Sequence, residues 1–210
     1  MDRFGLPARV DIDAVVANSF KDFHTKGFDY LCVRRSPRET LKLYFFDGDV
    51  SKLPEVVSPH DHRYGFETTI LAGESQNVWF AEGVRGGDDP RGGEVFNRFE
   101  YRTPLNGGDG FRWIGEAQLV ETGRRGFRRG QSYYMDAAGL HTIRIVSSET
   151  VLMLRQFEDV VPIDRPTTTF TKGAAPSLDG LYSRFTADQV VDKLRLFEER
   201  TGIALQSYQG

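Results

Sequence analysis

The sequence predicts a mainly β protein, an antiparallel jelly-roll barrel with one α-helix before it and one after. Three observations lead there. Between Phe28 and Asp164, short apolar or alternating runs are separated by turn residues, which is a strand pattern. No helical segment interrupts those runs, so a parallel βαβ sheet is excluded. On either side, over 11–27 and again after Thr186, the apolar residues recur at helical spacing instead.

The N-terminal helix is expected over 11–27, with Ile12, Val15, Val16, Phe20 and Phe23 as its stripe, an Asp as its cap and Gly27 closing its end. The barrel is expected over 28–164. Its strands read FDYLCVRR, TLKLYFFDG, VVSPHDH, FETTILAG, SQNVWFAEG, EVFNRFEYR, FRWIGEAQLVET, QSYYMDAA, HTIRIVSS and VLMLRQFED. Two Gly-rich stretches, GVRGGDDPRGG from Gly83 and NGGDG from Asn106, are loops, either active-site flaps or hairpin tips. Residues 165–210 read as a polar connector, TTTFTKGAAPS, followed by a helix. That helix has a capping box at Thr186 and Gln189, a stripe of Val190, Val191, Leu194 and Phe197, and an end at Gly202. No internal repeat and no second domain are visible, so 1–210 is read as a single domain.

With 210 residues, 39% of them hydrophobic, the chain can bury a core, which excludes disorder; 22 glycines without a period exclude a collagen-like fibre. One cysteine excludes an intramolecular disulfide, so a reducing cytoplasm is the expected setting. The start shows no basic segment followed by an apolar one, and no run approaches the ~20 apolar residues of a membrane span. A net charge of −3 argues against a nucleic-acid partner. The cluster Arg124, Arg125, Arg128 and Arg129 holds only one aromatic, Phe127, and is read as a solvated turn.

Chemistry concentrates in two segments. In PHDHRYGFETTILAG, starting at Pro59, His60 and His62 are two apart, so on a strand both imidazoles leave the same face, close enough to share a metal ion. Glu67 has the opposite parity, so it joins them only if the chain turns or bulges near Gly65. In GQSYYMDAAGLHTIRI, starting at Gly130, a turn at Asp136–Gly139 delivers His141 to the inward face that carries Ile143 and Ile145. A histidine there needs a partner. His24, the fourth histidine, is read as structural or solvated.

These residues resemble the two motifs of the cupins: His60, His62, Glu67 and Gly73 match the first, and Gly130, Gly139 and His141 the second. The sequence departs from the usual form at Pro54, Asp136 and Ile145, where Gly, Pro and Asn are expected, and both motifs are one residue short. The resemblance implies a double-stranded β-helix barrel, a metal on His60, His62 and His141, and a homodimer paired through barrel edges. It leaves Glu67 as a fourth ligand or as a partner of a histidine N–H. Within the cupins, PHDH, GLH and VLMLRQF look similar to the thiol dioxygenases, the cysteine dioxygenase group. That likeness implies iron held by three histidines and a substrate carboxylate held by an upstream arginine, here Arg34 or Arg38. The tyrosine it also implies is missing, since its region reads Gln156, Phe157, Glu158.

The resulting expectation is a mononuclear non-haem Fe(II) dioxygenase that joins O2 to a small polar substrate such as an amino acid, thiol or carboxylate. Mn, Ni, Cu and Zn suit the same donors. Tyr64 and Arg155 are the candidate catalytic residues, Arg155 either gripping a carboxylate or pairing with an acid such as Glu67 or Glu158. Tyr44 and Tyr133 either line the pocket or pack. A redox-neutral isomerase, lyase or epimerase and a metal-dependent sensor domain remain open. Nucleophilic catalysis is not suggested, because Cys32 lies in an apolar strand far in sequence from every histidine of the two motifs.

Overall fold

A computed structural model of the protein describes residues 4–21, 28–47, 58–83, 92–178 and 182–208. Strand β1 (Arg9–Asp11) runs directly into helix α1 (Ile12–Asn18), where the Asp11 carboxylate accepts the N–H groups of Asp13 and Ala14 at 3.0 and 3.2 Å. The helix is shorter than the spacing predicts. It stops at Asn18 because Ser19 is extended and Phe20 exchanges two backbone hydrogen bonds with Tyr30, which removes Phe20 from the helical stripe. Phe23, His24 and Gly27 lie outside the described residues.

The strands that follow are β2 (Phe28–Arg35), β3 (Thr40–Phe46), β4 (Tyr64–Ala72), β5 (Glu74–Glu82), β6 (Glu94–Arg102), β7 (Gly110–Arg128), β8 (Ser132–Met135), β9 (Leu140–Ile145), β10 (Thr150–Asp159) and β11 (Thr167–Thr171). Helix α2 (Ala187–Thr201) and strand β12 (Gln206–Tyr208) end the described chain, and β12 pairs in parallel with β1. One five-stranded sheet has the order β2-β3-β10-β4-β8, the other β11-β6-β7-β5-β9.

A short segment completes the second sheet. His60 exchanges backbone hydrogen bonds with His141 of β9 at 3.1 and 3.2 Å. On the other side, Phe170 N–H donates to the Pro59 carbonyl at 2.8 Å and Asp61 N–H to that of Thr168 at 3.1 Å, both on β11. Numbered in chain order from β3, with this segment second and β6 left aside, eight strands lie as 1-8-3-6 in one sheet and 2-7-4-5 in the other. That order is a jelly roll, two interleaved Greek keys, and agrees with the predicted fold class.

Strand alternation divides the core. From β2, β3 and β10, Leu31, Val33, Leu41, Leu43, Phe45, Val151 and Met153 point outward and are covered by Val190, Leu194 and Phe197 of α2 and by Ile12 and Val15 of α1. The opposite parity, Phe28, Phe46 and Leu152 with Phe66 and Ile70 of β4, fills the barrel interior with Phe127, Tyr133 and Met135. Strand β11 corrects the connector expected at 165–177. Its four threonines are strand formers, and its one apolar residue, Phe170, is fully buried against Phe96 and Leu119.

Helix α2 matches its predicted caps: Thr186 and Gln189 bond reciprocally, and Gly202 adopts the left-handed conformation at φ 70°. It is tied to the sheet by charge, Lys193 meeting Asp29 and Asp47 at 2.9 Å each and Arg200 meeting Asp47 at 2.6 Å. Partial burial pushes the Asp47 carboxyl up, but Lys193 and Arg200 outweigh it and the net shift is downward. A carboxyl with a lowered folded value contributes stability that is full above about pH 5 and is lost as pH falls through the ordinary aspartate value of about 3.9 toward the folded one. Asp47→Asn is therefore expected to lower the urea midpoint at pH 7, with the gap from the parent closing by pH 3. An equal gap at both pH values would show that the charge of Asp47 is not responsible.

Candidate metal centre

The strand-like segment 59–61 and the start of β9 bring three histidines to one end of the barrel interior. The ring centres of His60 and His62 are 4.5 Å apart, those of His60 and His141 5.2 Å, and those of His62 and His141 5.0 Å. One nitrogen from each ring lies within 4.8 Å of the others. His60 Nε2 and His62 Nε2 are 3.1 Å apart, the roughly 3 Å expected of two adjacent ligands with bonds of about 2.1 Å.

The second nitrogen of two rings fixes the tautomer. His60 Nδ1 donates to the Ser58 carbonyl at 2.7 Å, and His141 Nδ1 to the Asn77 side-chain oxygen at 2.6 Å. Each ring therefore presents an unprotonated Nε2 to the centre. Burial lowers the pKa of His60 against the opposing Ser58 carbonyl, and burial together with the facing His60 places His141 well below its ordinary value. Neutral rings are what a metal requires. His141 is only 4% exposed, and its Nε2 has no hydrogen-bond partner among the described residues. Leaving such an acceptor unmet costs about 1–3 kcal/mol, and a cation between the rings would satisfy it. The residues fit a metal.

The structure separates the other candidates from this cluster. Tyr64 lines the same cavity, its ring 5.7 Å from that of His62. Glu67 does not reach it. Strand β4 pairs without a shift against β8 from Phe66 onward, and the extra residue at the level of Gly65 lies on β10, between Gln156 and Asp159. Glu67 thus keeps the outward parity, and its carboxylate lies 4.0 Å from Arg155 Nε. Arg155 is also on the outer face, where it donates to Glu39 at 3.2 Å and to the Phe4 carbonyl at 3.0 Å. Arg34 pairs with the same Glu39 and donates to the Gly5 carbonyl at 3.1 Å, while Arg38 is exposed in the β2–β3 turn. Arg34 and Arg155 hold the N-terminal segment against the barrel, and none of the three arginines lines the cavity.

Two features escaped the sequence reading. Asn77, fully buried, has its oxygen bonded to His141 and its nitrogen 3.7 Å from the Met135 sulfur. Its only sequence signal was a polar residue on the inward parity of β5. Asp61, between the two histidines, accepts the Thr168 N–H at 2.6 Å and so anchors the segment to β11. The cavity in front of the histidines measures about 630 Å³, within the range of small-molecule pockets. Tyr44 and Tyr133 line it, and Leu105 and Asn106, next to the Gly-rich NGGDG turn, also contribute; most of the GVRGGDDPRGG loop lies outside the described residues. The arginine cluster lies elsewhere, and its expected turn is corrected: Arg124, Arg125 and Arg128 continue strand β7 opposite Val78, Asn77 and Glu74 of β5, with Arg124 paired to Glu121 and Arg128 to Glu74.

No protein-family model and no curated protein matches the chain. Solved structures similar to it include KdgF from Halomonas sp., at 11% identity over 67% of this chain and 88% of that one, with a TM-score of 0.39. A cupin superfamily protein from Desulfitobacterium hafniense DCB-2 shows 14% identity over 63% and 78%, at 0.35. Hydroquinone 1,2-dioxygenase from Sphingomonas sp. TTNP3 shows 11% over 73% and 76%, at 0.38. Values this low assign neither a family nor an activity.

His60→Ala and His141→Ala are each expected to abolish stoichiometric metal in the purified protein, measured by elemental analysis, while Glu67→Gln leaves it unchanged. Asn77→Leu keeps all three ligands but releases the His141 ring, and metal affinity should fall by about 10–100-fold in a chelator competition. Full affinity in Asn77→Leu would remove Asn77 from the site.

Proposed function

We propose that the protein is a metal-dependent cupin-type enzyme that uses Fe(II) held by His60, His62 and His141 to oxidise a small substrate with O2. The observation that carries this reading is the buried Nε2 of His141, which has no hydrogen-bond partner among the described residues and faces two more imidazoles in a cavity of about 630 Å³. Three neutral nitrogen donors leave coordination positions for substrate and O2. Bound there, iron supplies the electron transfer that none of the side chains supplies. The chain's own part is orientation. Ser58 and Asn77 fix the rings, and Phe66 packs edge-on against His62 at 4.7 Å.

The similar structures support the reading only by their names, among them an Fe(II) enzyme, a hydroquinone dioxygenase and an oxalate decarboxylase. The last keeps a redox-neutral reaction as the second reading. Oxygen consumption by the iron-reconstituted protein with a panel of small thiols, amino acids and carboxylates is the test. Uptake that disappears in His60→Ala is expected. Substrate loss without oxygen uptake would support the redox-neutral reading, and neither uptake nor turnover across the panel would sink the enzyme reading.

A further inference from the structure

Strand β3 places Lys42, Tyr44 and Phe46 on the cavity side, and Lys42 is the one ammonium among the cavity's described lining residues. The side chain is half-buried, and its Nζ sits 5.2 Å from the ring centre of Tyr30 and 5.6 Å from that of Tyr64. No carboxylate of the described residues forms an ion pair with it. The described lining is short of negative charge. Arg35, Arg63 and Arg184 also line it, each bonded to a neutral oxygen, at Asn18, at the Pro162 and Arg165 carbonyls and at the Ala17 carbonyl respectively. Asp61 is the single acid among the described lining residues, and its carboxylate is engaged by Thr168 N–H. Burial pushes the phenols of Tyr30 and Tyr44 up, so they stay neutral beside the ammonium.

A half-buried cation whose described neighbours are two aromatic rings and the Cys32 thiol of the adjacent strand, with no carboxylate among them, is under-compensated, because cation–π contact replaces only part of the lost hydration. The ring of Tyr64 neighbours both this ammonium, at 5.6 Å, and the ring of His62, at 5.7 Å. We propose that Lys42 is the anchor for a substrate carboxylate, and that the substrate is a small organic monoanion whose apolar body lies along Tyr30, Tyr44 and Tyr64 with its reacting end at the histidines. This rests on the reading that the three histidines hold a metal, and it moves carboxylate recognition from Arg34, Arg38 and Arg155 to the opposite face of the same sheet.

The test is calorimetric titration of the full chain, loaded with zinc to prevent turnover, with phenylacetate and 3-phenylpropionate and with their amides. In the parent the carboxylates should bind at least tenfold more tightly than the amides. Lys42→Met should erase that preference while amide affinity stays unchanged, and Lys42→Arg should restore part of it. Melting by circular dichroism checks the fold of each variant. If the parent does not prefer a carboxylate to its amide, the proposal is overturned whether or not any variant folds; a preference that persists in Lys42→Met overturns it too. Zinc content of the same samples reports the metal reading separately: zinc retained in full by His60→Ala and His141→Ala breaks that reading without touching the carboxylate comparison.

Discussion

The site depends on the backbone hydrogen bonds that hold residues 59–61 between β9 and β11. With β9 on one side and β11 on the other, this short piece of chain has almost no freedom to tilt, and the residue that is bridged on both sides is itself a candidate ligand, His60. The bridge partner across β9 is His141, so the same two backbone bonds that pair the strands also set the spacing of two imidazoles. Each bond is worth about 0.5–1.5 kcal/mol net. Their larger effect is geometric, since metal sites tolerate errors of only a fraction of an ångström in ligand position.

From that seam the rest follows in layers. Asp61 uses its carboxylate to brace the segment against β11, while His60 and His62 face the interior. Asn77, on the adjacent strand β5, sets the tautomer of His141 and is itself oriented by Met135, a residue of the barrel core. The histidine cluster is thus coupled to the packing behind it. The outer face of the same barrel serves a different purpose: Glu39 joins Arg34 and Arg155, and those arginines hold the carbonyls of Phe4 and Gly5, so the residues closest in type to a substrate clamp close the N-terminal segment down instead.

Much of this was legible before any coordinates. The edges of β2 and β6 coincide with the predicted runs, because their alternation is bounded by clear turn residues, and the capping box and terminal glycine of α2 are local signals that need no tertiary partner. The parity of His60 and His62 is likewise a property of the chain. Where reading failed, the deciding contact was distant. Phe20 fits a helical stripe until Tyr30 claims it for a bridge, and β11 looks polar until its single Phe170 is placed under Phe96 and Leu119.

The sequence by itself determined the β architecture, the two helical ends and the three histidines, since strand alternation, caps and motif spacing are written within a few residues of one another. It also stated the condition on which Glu67 turned, a bulge near Gly65. Only the tertiary structure decided that condition, by putting the extra residue at this level on β10 and leaving β4 without one near Gly65, so that Glu67 faces Arg155 outside the barrel. Register between strands about ninety residues apart is set by packing on both faces of a sheet at once, and no single strand carries that information. The same registration turned Lys42 inward and Arg155 outward from neighbouring strands, and so chose which positive charge meets the cavity.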